Sequence, residues 1–101
     1  MVISVLSRKT AIRDPEEWQK RQDRLVQRLR PLLARQQGFV DVAVEAASDG
    51  ALRETTRWQT ADDCRRYVRE GGAAMAATIA DAILPTAPYP NGAWVRETRE
   101  E

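Results

Sequence analysis

The chain contains no histidine. That absence excludes a Ser-His or Cys-His nucleophile, an imidazole base, and a haem or metal held by imidazole. There is 1 cysteine, Cys64, so no internal disulfide can form, which fits a reducing, cytoplasmic setting. A zinc site is not expected from one thiol without imidazole partners. Aromatic residues are scarce at 6%, namely 3 Trp, 2 Tyr and 1 Phe, so each is a candidate anchor. Charge of one sign is also lacking: 16 Lys and Arg meet 15 Asp and Glu, for a net charge of +1. The arginines are interleaved with acids, so neither nucleic acid nor an anionic membrane is expected as a partner. No apolar run approaches the roughly 18 residues of a membrane span. The N-terminal MVISVLSRK has no charged region before its apolar run and does not resemble a signal peptide.

What is present fits one globular domain over residues 1–101, with 43% hydrophobic and 31% charged residues. The organising stretch is Leu52 to Tyr67. Leu52–Trp58, with Thr55, Thr56 and Trp58, predicts a strand of mixed faces: Leu52, Glu54, Thr56 and Trp58 against Arg53, Thr55 and Arg57. Thr60 stands three residues before Asp63, a carboxylate form of the capping box. Asp62 and Asp63 fall in the first turn of the helix that follows. Cys64, Tyr67 and Val68 mark its apolar stripe. Trp58, where strand meets helix, either pins the two together or walls a ligand pocket.

The remaining elements follow from pattern. Val2–Arg8 is a strand, with Ile3, Val5 and Ser7 on one face and Val2, Ser4 and Leu6 on the other. Asp14-Pro15 opens a helix to about Gln37, as N-cap and first helical residue. Trp18, Gln22, Leu25, Leu29 and Leu32/Leu33 form its buried stripe, so Gln22 either ends the core or looks into a cavity. Pro31 predicts a kink or restart, and Gly38 the stop. Phe39–Ala46 is the second strand, with Val40, Val42 and Val44 sharing a face, and Asp49-Gly50 signals a hairpin into the third. Gly71-Gly72 breaks the next helix, which resumes over Ala73–Leu84 with Met75, Ile79 and Ile83 inward. Pro85, Pro88 and Pro90 predict an extended connection. Ala93–Thr98 is the last strand, with Trp94, Arg96 and Thr98 on one face, and Arg99 to Glu101 is expected to fray.

The order strand, helix, strand, strand, helix, strand predicts an α+β fold, the ferredoxin-like split βαβ with a four-stranded antiparallel sheet. Helices on one face leave the other for water or a partner. Gly38-Phe39-Val40, Thr56-Arg57-Trp58 and the capped helix after them resemble the antibiotic-biosynthesis monooxygenase superfamily over nearly the whole chain. That resemblance implies a homodimer, a dimeric α+β barrel with the two sheets face to face. It also implies a small-molecule pocket between helices and sheet in each protomer. Family members include cofactor-independent oxygenases of aromatic polyketides and haem-degrading oxygenases. The positions matching the haem-degrading residues are Ser7, Tyr67 and Ala77, so the iron ligand is missing and haem degradation is rejected. Trp58 and Tyr67 match the polyketide oxygenases loosely, with Glu54 where those carry Asn four residues before the Trp.

A cofactor-free oxygenase needs a substrate that itself reacts with oxygen as an electron-rich anion, such as a deprotonated phenol or anthrone. The protein supplies shape, a donor for the anionic oxygen and dry walls. Trp58, Tyr67 and Arg57 are the candidate catalytic residues; Ser7, Gln22, Trp94 and Arg96 are the candidate substrate-binding residues. No cofactor and no metal are expected. The other reading is a non-catalytic dimeric module that binds a small ligand or only assembles. A roomy pocket bounded by Trp58 and Tyr67, with an arginine tip inside it, favours the enzyme, and a pocket filled by Leu, Met and Trp side chains favours the module.

Overall fold

A computed structural model describes residues 1–10, 12, 14–46, 51–84 and 95–100. Seven elements follow in order: β1 (Val2–Lys9), α1 (Pro15–Ala34), β2 (Phe39–Ala46), β3 (Ala51–Trp58), α2 (Ala61–Arg69), α3 (Gly72–Ile83) and β4 (Val95–Glu100). The strands form one antiparallel sheet in the order β2-β3-β1-β4. This is the expected ferredoxin-like α+β arrangement. The Asp-Gly hairpin and the Pro85 to Pro90 connection lie outside the described residues.

The central strands show where the core sits. On β3, Leu52, Glu54, Thr56 and Trp58 are all buried, while Arg53 is exposed and Thr55 and Arg57 are half-buried. Val2, Ser4 and Leu6 of β1 lie beside them in register and are buried too. The helices cover this face with Trp18, Leu25, Leu29 and Leu33 of α1, Cys64 and Tyr67 of α2, and Ala73, Ala76, Ala80 and Ile83 of α3. Burial of such side chains at roughly 25 cal/mol per Å² is the main favourable term of folding.

Local chemistry fixes the helix starts. Asp14 accepts from the Glu17 N–H at 3.0 Å, and Pro15 occupies the first turn. The Thr60 hydroxyl accepts from the Asp63 N–H at 3.1 Å and donates to Asp63 Oδ2 at 2.9 Å. Asp63 then holds Arg66 at 3.0 Å. Thr60 thus caps the helix, and the Asp63 carboxylate reaches back to the Thr60 hydroxyl, where a full capping box would take the Thr60 backbone N–H.

Several expectations are corrected. Helix α1 ends at Ala34, not Gln37, and runs through Pro31 without a restart. Pro31 lies one turn from the end on an exposed face, so few of the following bonds depend on it. Gly38 sits at the entrance to β2 with φ +81°, and a Cβ there would collide with the Asp63 carboxylate. Val40 does not join Val42 and Val44. The register slips between Phe39 and Asp41, so Phe39 pairs with Trp58 and Val42 with Thr56. This bulge returns Phe39 to the core face and leaves Val40 38% exposed.

Met75, expected inward, is exposed; the inner face of α3 is Ala73, Ala76, Ala80 and Ile83. Small side chains let α3 approach α1, and Arg21 of α1 donates to the Ile83 carbonyl at 2.8 Å. Val68 is likewise exposed and leaves the α2 stripe to Asp63, Cys64 and Tyr67. Gly71-Gly72 separates α2 from α3, with Gly71 at φ +89°. Arg99 and Glu100 are not frayed but continue β4, where Glu100 faces Val2.

Candidate functional site

Trp58 and Tyr67, one on β3 and one on α2, meet inside the core. Their ring centroids are 4.7 Å apart, with planes tilted by 34°. Phe39 stands edge-on to Trp58 at 5.7 Å. The Trp58 indole N–H donates to Thr56 Oγ1 at 2.9 Å, so its polar atom is satisfied within β3. Tyr67 differs. It is only 2% exposed, and its hydroxyl has no hydrogen-bond partner among the described residues. Burial first, and then the charge of Glu54, raise this phenol far above its ordinary range, with Arg96 opposing. At neutral pH it is therefore a neutral O–H, a donor awaiting an acceptor.

Beside this pair, α2 and β4 form an open groove of about 550 Å³. Ala61, Cys64 and Val68 of α2 line it with Thr98 of β4. Three arginines reach it, Arg65 and Arg69 from α2 and Arg96 from β4, and among the described residues no acid lines it. Arg65 is also ion-paired with Asp62. Arg96 is the most firmly placed: its guanidinium donates to Ser4 Oγ at 2.7 Å. Ser4, 1% exposed on β1, also hydrogen-bonds Cys64. Burial pushes the Cys64 thiol up, against the lowering effects of Arg96 and Ser4. Cys64 is thus a neutral floor residue and not a thiolate nucleophile at neutral pH. The electrostatic neighbours of the Tyr67 phenol include Arg96 and Cys64, two of the groove's own lining residues. The groove offers a fixed cation beside apolar walls, which suits an anionic oxygen on a flat, apolar ligand.

The other residues singled out from sequence lie elsewhere. Arg57 is on the sheet face away from the helices, ion-paired with Asp41 at 3.5 Å. Ser7 is half-buried on that same far face, opposite Arg53 and Val95. Gln22 donates to the Val44 carbonyl and lines a separate cavity of about 410 Å³ between α1 and β2. Trp94 lies outside the described residues. Sequence reasoning thus brought Trp58, Tyr67 and Arg96 to one region and left Arg57, Ser7 and Gln22 apart from it. It missed Cys64 as a groove residue and Ser4 as the acceptor that holds Arg96. The only available signal for Ser4 was its polar side chain on the same β1 face as Val2 and Leu6. Among the described residues, no group of three His, Cys, Asp or Glu side chains could hold a metal ion. No described helix is long and apolar enough to cross a membrane.

No family model and no curated protein matches the chain. Its fold, however, recurs among solved structures, many of them antibiotic biosynthesis monooxygenase-like proteins. A Bordetella bronchiseptica protein assigned to that group superposes with a TM-score of 0.68 at 14% identity, over 99% of this chain and 95% of the other. SnoaB, a cofactor-independent oxygenase from Streptomyces nogalater, gives 0.61 at 20% identity, over 99% and 92%. ActVA-Orf6, a monooxygenase of Streptomyces coelicolor solved with nanaomycin D, gives 0.63 at 17% identity, over 99% and 88%. At these identities the shared property is the fold.

Proposed function

We propose that this chain, as one domain over residues 1–101, is a cofactor-independent monooxygenase or related tailoring enzyme for an aromatic, quinone-like small molecule. The observation that carries the reading is the groove between α2 and β4, with Arg96 fixed as its cation beside the apolar Ala61 and Val68. SnoaB and ActVA-Orf6, which share the fold, are a cofactor-independent oxygenase and a monooxygenase that holds a ligand. The single buried Cys64 fits a reducing, cytoplasmic setting.

In this reading the substrate lies in the groove with its ring on Ala61 and Val68. Arg96 meets its oxygen and stabilises the anion formed when a ring CH₂ or O–H loses a proton to water, while the buried Tyr67 phenol stands in the field of Arg96 without touching the ligand. The anion passes one electron to O₂, and the radical pair joins as a C–O bond. For an anthrone, the resulting peroxide loses water to leave a second carbonyl. One oxygen atom enters the product; the other departs as water with both hydrogens of the CH₂. Trp58 acts through the Tyr67 ring as a positioning residue. Gln22, Ser7 and Arg57, which lie away from the groove, carry no step.

The alternative is a dimeric ligand-binding module without turnover. Its support is that Trp58 is fully buried and so offers the groove no stacking surface. One experiment separates the two: oxygen uptake by the purified, metal-free protein with a panel of anthrones and hydroquinones. The enzyme reading expects uptake above the buffer rate, reduced at least tenfold by Arg96→Gln, about 1.4 kcal/mol of transition-state stabilisation. Saturable binding of the same compounds with uptake at the buffer rate leaves the module.

A further inference from the structure

The groove between α2 and β4 carries more positive charge than one anionic oxygen can use. On α2, Arg65 is ion-paired with Asp62 and Arg66 with Asp63, each acid three residues before its arginine. Arg69 breaks that pattern. The residues three and four positions before it are Arg66 and Arg65, and like charges at that spacing repel. Glu70 is its immediate neighbour, a spacing at which side chains do not face each other on a helix. Arg69 forms no ion pair among the described residues. The helix dipole favours a cation in the last turn but does not choose its face. Arg69 lies with Ala61, Cys64, Arg65 and Val68 on the face that lines the groove. On the opposite wall, Arg96 is held by the neutral Ser4 hydroxyl, which fixes the guanidinium without cancelling its charge. Residues 85–94, which lead into β4, include no Asp or Glu.

We propose that the groove selects an aromatic ligand with two acidic groups: a ring oxygen that meets Arg96 and a carboxylate that meets Arg69. Resting on the groove as the ligand site, this narrows the substrate class from aromatic, quinone-like molecules to those that also bear a carboxylic acid. The two cations come from opposite walls, one from a helix and one from a strand, so they suit two separate anionic groups. A guanidinium is planar and takes both oxygens of a carboxylate in parallel hydrogen bonds, about twice as strong as neutral ones. With Arg65 offset by Asp62, the helix wall has one uncancelled charge, which matches a carboxylate and not a doubly charged phosphate. Ala61, Cys64 and Val68 supply apolar surface for the ring. Arg69 is then a specificity-determining residue. It holds the ligand and takes no proton or electron.

The test is calorimetric binding of three matched probes to the full chain at low ionic strength: a hydroxynaphthoic acid, its methyl ester and the parent naphthol. The acid should bind about tenfold tighter than the ester or more, and the ester should match the naphthol within about threefold. Arg69→Gln should remove that preference, weakening the acid about tenfold and the ester less than about twofold. Arg96→Gln should weaken all three probes. Arg28→Gln, which takes the same charge from an exposed position of α1, should leave the preference in place. Matching thermal midpoints of the free variants keep folding out of the comparison. An acid bound no tighter than its ester, with all three probes weakened by Arg96→Gln, overturns the second anionic contact and leaves the groove as the ligand site. A preference that survives Arg69→Gln overturns it by placing the carboxylate elsewhere. A preference lost equally in Arg28→Gln overturns it by reducing the effect to net charge. No binding of any probe overturns the groove as the ligand site, and this assignment with it.

Discussion

At the residue scale, Tyr67 separates stability from use. An unpartnered buried hydroxyl costs about 1–3 kcal/mol of desolvation. Tyr67→Phe is therefore expected to stabilise the isolated protein by about 1 kcal/mol in urea unfolding while leaving the affinity of the groove for anionic aromatics within about twofold. The phenol also sets an alkaline limit. Its folded value lies above its ordinary 10.0, so the folded state holds the proton more tightly than the unfolded chain. The stability this provides is complete below pH 10 and is lost as pH rises above it. Cys64, raised from 9.0, acts in the same sense from a lower starting pH. Thermal midpoints measured from pH 8 to 11.5 should fall steeply above 10 in the wild type and less steeply in Tyr67→Phe. These environments were not legible from sequence. Tyr67 was visible as a member of an apolar stripe, but its missing partner depends on what β1, β3 and β4 place around it.

At the scale of elements, local signals were legible and pairwise ones were not. Asp14-Pro15 and Thr60 with Asp63 cap their helices as expected because each device closes within four residues. The bulge after Phe39 was hidden because it exists only relative to β3. The inner face of α3 was hidden because an alanine-rich helix has little hydrophobic contrast, which made Met75 look like the anchor. Gly38 shows what such couplings cost to break. Its positive φ and the Asp63 carboxylate beside it both oppose a side chain. Gly38→Ala is expected to destabilise the chain by about 2–4 kcal/mol, measured by denaturant midpoint at unchanged slope. Ala76, 1% exposed on the close side of α3, should tolerate Leu poorly, at about 1–3 kcal/mol.

At the scale of the molecule, element order was enough to place all four strands in the ferredoxin-like sheet, because few topologies connect such a series without crossing. The groove was not legible, since it joins α2 to a strand some thirty residues later and to Ser4 near the start of the chain. Its occupancy should be readable globally. A ligand present at about 100 times its dissociation constant adds about 2.7 kcal/mol of stability and raises the midpoint by about 13 °C in a domain of this size. Differential scanning with an anionic aromatic should show that shift in the wild type and little of it in Arg96→Gln.

The protonated state of the groove has one more consequence. With no imidazole in the chain, and with Cys64 and Tyr67 both pushed upward, neither of these two acids changes charge near neutrality. The protein is then a colourless vessel around an indicator. Between pH 6 and 8 the curve of rate against pH should trace the substrate's own acidity, and should slide along the axis when an electron-withdrawing group is added to the ring. The same compounds free in buffer would supply the ruler for that displacement.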